Sequence, residues 1–367
     1  MQFVNPSYEI QSIPDVPTEK SVGQYLERIG RLCYKSEDKI TDTSYIPFIS
    51  RLWRNKHLAM LEHFIFTLDV STTIYEDLMD KKWNQEAYFQ YANACRYIRC
   101  MQVNHQDHNE YLVSGSLTSF FRALEALCKC GYYGQAAIAT ICQFLTKNFT
   151  NIVSLYEGVT VYDDVTYMRD YANLVQNGRS SVKPLTGGYI FDILSKETLR
   201  RHYSYAVRWM HDWYTVRFVV DRGITHEIVR HRDASFAQES TRYCNYSKEK
   251  YGSEIQFINP CFYPENSTMR QLWEESCANS ENSYIEMTQN HCEPAQQARS
   301  VLTNSTKSEL FMTARIGEWQ HFLKMRAAND AHPQMREVAV PLLQEFIEKD
   351  AMMFQGVQNW LERKGKI

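Results

Sequence analysis

The chain has 367 residues, with 40 Lys and Arg against 43 Asp and Glu, a formal net charge of −3, and 44% hydrophobic and 23% charged residues. That composition is the one expected of a soluble globular protein with enough chain for a sizeable core. It excludes a general electrostatic attraction to nucleic acid or anionic membrane, so any anion site must be local.

No apolar run approaches the roughly 18 residues of a membrane span. The opening "MQFVNPSYEIQ" lacks a basic stretch leading into an apolar one, so no secretory signal is expected. The 10 Cys are scattered, and neither Cys128 with Cys130 nor Cys95 with Cys100 has zinc-site or CxxC spacing. No metal site is read, and reduced, mostly structural thiols in a cytoplasmic protein are expected.

In chain order, Val22, Tyr25, Leu26, Ile29 and Leu32 recur at helical spacing and predict a helix over residues 17–34. "YIPFISRLWRN" is a second apolar-periodic stretch. "EHFIFTLDV" alternates, placing Phe64, Phe66, Leu68 and Val70 on one face of a half-buried strand. "SFFRALEALCKCG", "GQAAIATICQFLTKNFTNIVSLY" and "ETLRRHYSYAVRWMHDW" carry helical patterns, and "NLVQNGRSSVKPLTGG" has loop composition. "YTVRFVVDRG" alternates like the earlier strand and leads into a helix-like "ITHEIVRHR". The pattern therefore predicts a mostly helical insertion between two strands of one sheet. Residues 335–364 close the chain with helical periodicity and a basic end suited to a helix C-terminus.

The densest chemistry lies in "RHRDASFAQESTRY", residues 230–243. If "THEIVRHR" is helical throughout, Arg230, His231 and Arg232 diverge by about 100° per residue and cannot face one ligand. Ser240, Thr241 and Arg242 place two hydroxyls, backbone N–H groups and a forked cation in one short segment, a set suited to phosphate. A solvated basic face paired with Asp233 and Glu239 is the simpler reading of the same residues. A nucleic-acid patch is a third, but no aromatic platform accompanies it.

"RHRDASFAQES" also fits Arg-His-Arg, seven residues, Ser, and so resembles the signature of the flavin-dependent thymidylate synthases. Its flanks, "DRGITHEIV" and "TRYCNYSK", agree. "GRLCY", "HLAMLEHFIFT" and "HFLKMRAANDAHPQMRE" resemble three further family segments in the same order, and "NEYLVSGSLTSFFRAL" is loosely similar to an insertion of longer relatives.

The resemblance implies an α+β fold: a core of mainly antiparallel sheet flanked by helices, formed by residues 1–70 and 214–367 and interrupted by a mostly helical insertion at 71–213. It implies reductive methylation of dUMP to dTMP, with methylenetetrahydrofolate as carbon donor and NADPH as reductant through FAD. A cofactor is needed because no side chain carries hydride. It further implies a homotetramer with sites shared between subunits. For dUMP it points to Arg230, Gln238, Glu239, Ser240, Thr241, Arg242, Arg299 (from a neighbouring subunit) and Arg326, the last favouring ionisation of N3 of the base. For FAD it points to His57, Glu62, Arg230, His231, Arg232, Gln238, His321 and His332.

One departure stands out. Many relatives have Gln where this chain has Glu227, an anion beside a nucleotide site. Cys261, in "INPCFYPEN", has only a passing likeness to the nucleophile of the unrelated classical thymidylate synthases and is read as structural. No GxGxxG or GxxxxGK[ST] is present to cradle a cofactor. Two rival readings share these residues: a related flavin-dependent pyrimidine hydroxymethylase, and a non-catalytic nucleic-acid binder.

Overall fold

A computed structural model describes residues 1–70, 95, 97–104, 109–129, 145, 148–149 and 191–367. The predicted loop at 173–188 and nearly all of the predicted helix at 134–156 lie outside these residues.

Among the described residues the strands are β1 (Gln2–Val4), β2 (Ser7–Ile10), β3 (Ile65–Val70), β4 (Arg99–Asn104), β5 (Asn109–Ser116), β6 (Phe191–Ile193), β7 (Trp213–Asp221), β8 (Ala234–Gln238), β9 (Gln256–Ile258) and β10 (Lys307–Arg315). The helices are α1 (Glu19–Leu32), α2 (Tyr45–Arg54), α3 (Leu117–Lys129), α4 (Lys196–His202), α5 (Tyr205–His211), α6 (Arg222–Ile228), α7 (Thr268–Ile285), α8 (Ala295–Ala298), α9 (Ile316–Arg326), α10 (Pro333–Lys349) and α11 (Ala351–Arg363). The fold is thus α+β, and among the described pairings only β1 with β9 is parallel. No helix of the described residues is long and apolar enough to cross a membrane.

The chain divides into two compact units. The first comprises residues 1–13, 28–40 and 213–367, and the second residues 14–27 and 41–212.

In the first unit the sheet order is β2-β7-β10-β8, with β10 antiparallel to both neighbours: Lys307 pairs with Asp221, Arg315 with Trp213, and Leu310 with Gln238. Strand β10 is buried from Ser308 to Ala314, and its two faces differ sharply. Leu310, Met312 and Ala314 join Val216, Phe218 and Val220 of β7 under Trp319, Phe322, Leu342 and Phe346 of the helical layer. Burying these side chains drives the layer together, each of the Leu, Met, Val and Phe side chains contributing about 1.5–3 kcal/mol. The other face carries Lys307, Glu309 and Thr313, with Thr313 hydrogen-bonded across the strands to Thr215 at 2.7 Å.

The predicted terminal helix is two helices, α10 and α11, separated by Asp350, whose φ of −158° interrupts the helical backbone. Phe346 and Phe354 stack across that break with centroids 4.5 Å apart. Apolar periodicity alone continues through the bend, because both helices bury the same stripe.

In the second unit the sheet order is β4-β5-β3-β6. Phe64, Phe66 and Leu68 are buried as their alternation predicts. The expectation that β3 and β7 share a sheet is not met. Strand β3 pairs with β5 and β6, whereas β7 pairs with β2 and β10. Both strands alternate, but alternation specifies a buried face and not a partner. The described part of residues 71–213 supplies β4, β5 and β6 as well as helices, so it is not read as helical throughout. "ETLRRHYSYAVRWMHDW" likewise forms two short helices, α4 and α5, with Ser195 capping the first through Thr198 N–H at 3.0 Å.

Candidate functional site

Helix α6 begins where β7 ends, capped by Asp221, which accepts the Ile224 N–H at 2.7 Å. It lasts only seven residues. Its last turn tightens, with Arg230 N–H to Glu227 O at 3.4 Å and His231 N–H to Ile228 O at 3.2 Å. Arg230–Arg232 therefore lie in the turn between α6 and β8, not on the helix. His231 points inward and is 5% exposed, while Arg230 and Arg232 are exposed on either side of it. The in-out alternation of a turn, rather than rotation about a helix, separates the three side chains.

His231 is fully engaged. Nδ1 lies 3.1 Å from Glu318 Oε1, and Nε2 lies 3.3 Å from Arg326 Nε. Because the guanidinium only donates, Nε2 is the acceptor and Nδ1 carries the proton given to Glu318. Arg326, at the end of α9, makes two more bonds, from Nη1 to Glu227 Oε2 at 2.6 Å and from Nη2 to the Glu227 carbonyl at 3.0 Å. Burial pulls the Arg326 pKa below its ordinary value, Glu227 opposes that shift, and Arg230 adds to it. Neither Glu318 nor Asp330 pairs with Arg326: Glu318 holds His231, and Asp330 holds Lys366 at 2.8 Å.

His321, exposed on α9, lies edge-on to the His231 ring at 5.5 Å. Ligand atoms of His231, Glu318 and His321 lie within 4.8 Å of one another, a spacing a cation could bridge. A metal on Nδ1 would make Nε2 a donor facing the Arg326 donor at 3.3 Å, so the hydrogen-bonded arrangement fits these residues better.

Strand β8 ends at Gln238, whose amide donates to Thr225 Oγ1 of α6 at 2.9 Å and to Ser308 Oγ of β10 at 3.1 Å. The next residues form the loop read as a phosphate site. Glu239 N–H donates to Glu309 O at 2.8 Å, and Ser240 N–H to Cys33 O at 3.1 Å, docking the loop on β10 and on the end of "GRLCY". Thr241 is 5% exposed, and Arg299 reaches its hydroxyl at 3.5 Å within the same chain. Arg242 is exposed, its guanidinium resting 5.7 Å from the Tyr243 ring centroid.

Beneath this loop lies a charged cluster that the sequence reading missed. Glu239 and Glu309 are 3% and 6% exposed. Lys307 lies 3.2 Å from Glu239 and 2.7 Å from Glu309, Lys35 contacts both carboxylates, and Arg217 pairs with Glu309. Tyr246 donates to Glu239 at 2.9 Å. Burial raises the Glu309 pKa, but Lys307 and Lys35 outweigh it and hold the carboxyl well below its usual range. Burial and then Glu239 push Tyr246 well above the ordinary phenol value, so it stays a donor. Glu239 thus has its acceptor oxygens turned into the protein. The signal available in sequence was the alternation of Lys307 and Glu309 on one face of β10, visible only once that strand is recognised.

His332 caps α10, its Nδ1 accepting the Gln334 N–H at 3.3 Å, with its ring against Phe262 at 5.7 Å. His57 and Glu62 fall in the second unit, where His57 precedes a short helical turn and Glu62 pairs with Arg122 at 3.3 Å. Cys261 sits in an exposed turn; partial burial and a hydrogen bond with Glu337 push its thiol up to about 11, which leaves it a poor nucleophile.

An anionic cofactor or nucleotide needs cations not already neutralised. Arg230 and Arg232 meet no carboxylate among the described residues, and Arg242 meets only an aromatic face. This donor set fits a phosphate-bearing ligand.

Residues 186–350 match the family model described as "Thymidylate synthase complementing protein". Among curated proteins, the chain is similar to the flavin-dependent thymidylate synthase of Corynebacterium glutamicum, 30% identical over 144 residues, which is 34% of this chain and 54% of that protein. It is similar to that of Corynebacterium efficiens, 30% identical over 157 residues, 38% and 59% of the two chains, and to that of Pyrococcus furiosus, 27% identical over 167 residues, 44% and 67%. The matched segment spans little more than half the length of the first of these relatives. The resemblance first read from Arg230–Arg242 thus stands on whole-segment similarity as well as on the motif.

Proposed function

We propose that this chain, whose residues 186–350 match the thymidylate synthase complementing protein model and which is similar to flavin-dependent thymidylate synthases, is itself such an enzyme. It would convert dUMP to dTMP with methylenetetrahydrofolate and NADPH as co-substrates and FAD as cofactor, as a cytoplasmic homotetramer. The observation that carries this reading is the Ser240–Arg242 loop. It is docked on Cys33 and the buried cluster, with Arg242 facing solvent beside Thr241 and Arg299.

In this reading the loop binds the nucleotide phosphate. The fixed backbone presents the Ser240 and Thr241 hydroxyls, while Arg242 and Arg299 supply charge. Arg230 adds a further cation toward the nucleotide, and Gln238 holds β8 against α6 so that loop and turn keep a constant separation. Arg326 keeps a guanidinium beside the base, stabilising the anion that forms when N3 ionises and C5 becomes nucleophilic. Methylation requires C5 to bond the one-carbon unit as that unit's bond to the folate nitrogen breaks and tetrahydrofolate leaves, the C5 proton to pass to water, and a hydride to complete the methyl group. A flavin held by the residues named below would supply that hydride. Arg232, exposed in the turn, and His332, His321, His57 and Glu62 are the proposed flavin contacts. His231 acts through Arg326 in the described geometry, since both of its ring nitrogens are occupied.

The test is product identification by mass spectrometry after turnover with dUMP, methylenetetrahydrofolate, NADPH and FAD. A product 14 Da heavier than dUMP is expected for methyl transfer. A product about 30 Da heavier would instead indicate a hydroxymethylase. A preparation that binds neither FAD nor dUMP, but binds DNA or RNA with strong salt dependence, would replace both with the binding-protein reading.

A further inference from the structure

We infer that Glu227 is the positioning residue of Arg326: it fixes the plane of the guanidinium and tempers its charge toward the bound pyrimidine. This rests on the functional reading above and adds to it a role for the residue that stands where many relatives have glutamine. An unpaired carboxylate beside a nucleotide would repel it. Here the carboxylate is spent on Arg326, with Nη1 at 2.6 Å, and the Glu227 backbone carbonyl takes Nη2 at 3.0 Å. His231 takes Nε at 3.3 Å and is itself fixed by Glu318 at 3.1 Å.

A guanidinium has five N–H donors. Three are used here, by Glu227 twice and His231 once, leaving two to point at a ligand. The Arg326 side chain is 14% exposed and that of Glu227 31%, so the pair lies at a surface open to a small molecule but is only partly screened by water. Orientation and charge are coupled in this device. A glutamine at position 227 would keep an acceptor for Nη1 but leave Arg326 a full, uncompensated cation. With glutamate the pair is neutral overall, and Arg326 offers directed hydrogen bonds with a weakened field.

Other charged groups facing this pair are Arg230 from the turn, Asp221 at the start of α6, and His231, Glu318 and His321 on or against α9. None carries its own contact to the Arg326 Nη atoms among the described residues, so Glu227 is the group whose removal changes them.

The experiment compares wild type with Glu227→Gln, Glu227→Ala and Arg326→Gln in two readouts. In the absence of nucleotide, the Arg326 Nη–H signals in nitrogen-15 NMR spectra, recorded at low temperature, report the clamp, because Glu227 takes Nη1 and Nη2 while Nε goes to His231. They should exchange slowly in wild type and Glu227→Gln and at least tenfold faster in Glu227→Ala. The ultraviolet spectrum of bound 5-fluoro-dUMP reports ionisation of N3 directly, separating it from titration of His231 or His321. Its midpoint should fall by about one pH unit in Glu227→Gln, because one negative charge near the base is lost. In Arg326→Gln it should rise. An Arg326 signal unprotected in wild type, or a midpoint unmoved or raised in Glu227→Gln, overturns the inference. Failure of wild type to bind any dUMP analogue would sink the functional reading instead; the nucleotide-free NMR readout would still decide whether Glu227 clamps Arg326.

Discussion

The two units bury charge in contrasting ways. In the first, two carboxylates, Glu239 and Glu309, are shared by Lys35, Lys307 and Arg217. In the second, the carboxylate of Asp212 at the end of α5 faces Lys196 at 2.6 Å, Arg200 at 3.1 Å and Arg208 at 3.6 Å. Burial favours the neutral amine in both lysines. For Lys307 the two glutamates outweigh that effect and raise its pKa. For Lys196 burial wins: the attraction of Asp212 does not offset it while Arg200 and Arg208 repel, and the ammonium is pulled down to about 8. A buried lysine's charge is thus set by how many anions share it with how many rival cations. The balanced cluster lies under the loop assigned to the nucleotide. The cation-rich one ties α4 to the end of α5.

The sharpest way to break this comparison is to remove the shared carboxylate in each unit. Glu309→Ala leaves Lys35, Lys307 and Arg217 short of an anion, and Asp212→Ala leaves Lys196, Arg200 and Arg208 so. Each should lose about 3–5 kcal/mol of stability in urea unfolding, the cost of stranding a buried charge. Only Glu309→Ala should also weaken dUMP binding at temperatures where both variants stay folded, because only its cluster supports the Ser240 loop. Equal effects of the two on dUMP affinity would erase the distinction.

A smaller effect separates support from contact. Arg242 rests only on Tyr243, so Arg242→Ala should change stability by less than about 0.5 kcal/mol. It should nevertheless weaken dUMP binding ten- to a hundredfold, the loss of a charge-assisted bond of about 1.5–3 kcal/mol. Calorimetric titration beside thermal unfolding checks both. The smallest effect concerns pH. Because the folded pKa of Lys196 lies below its ordinary value, the unfolded chain holds the proton more tightly above pH 8. Stability should then rise from about pH 8 towards 10, by no more than about 1.4 kcal/mol per unit, and Lys196→Met should flatten that rise.

Much of this was legible before the structure. The periodicity of Val22, Tyr25, Leu26, Ile29 and Leu32 gives α1, and all five are buried. The alternation of "EHFIFTLDV" gives β3, and the hydroxyl-rich run before Tyr243 marks the loop. What escaped follows from what spacing cannot encode. The periodicity of "THEIVRHR" continues through Arg230–Arg232, yet i to i+3 bonds close the helix at Ile228. Strand β10, the centre of its sheet, was not read as a strand, so Lys307 and Glu309 had no face and the cluster stayed hidden. Strand partners were misassigned because one half-buried strand looks like another. Glu227 appeared as a liability in sequence, since its partner Arg326 lies 99 residues away.

The most direct test of the central claim is release of tritium from C5-labelled dUMP. With methylenetetrahydrofolate, NADPH and FAD all present, the wild-type protein should release label to water, and omission of FAD should stop it. Arg326→Ala should release at least a hundredfold less per bound nucleotide, since it removes a charge used as the base ionises. Wild-type protein that binds dUMP yet releases no tritium under these conditions, or an Arg326→Ala variant that releases it equally well, would contradict the account.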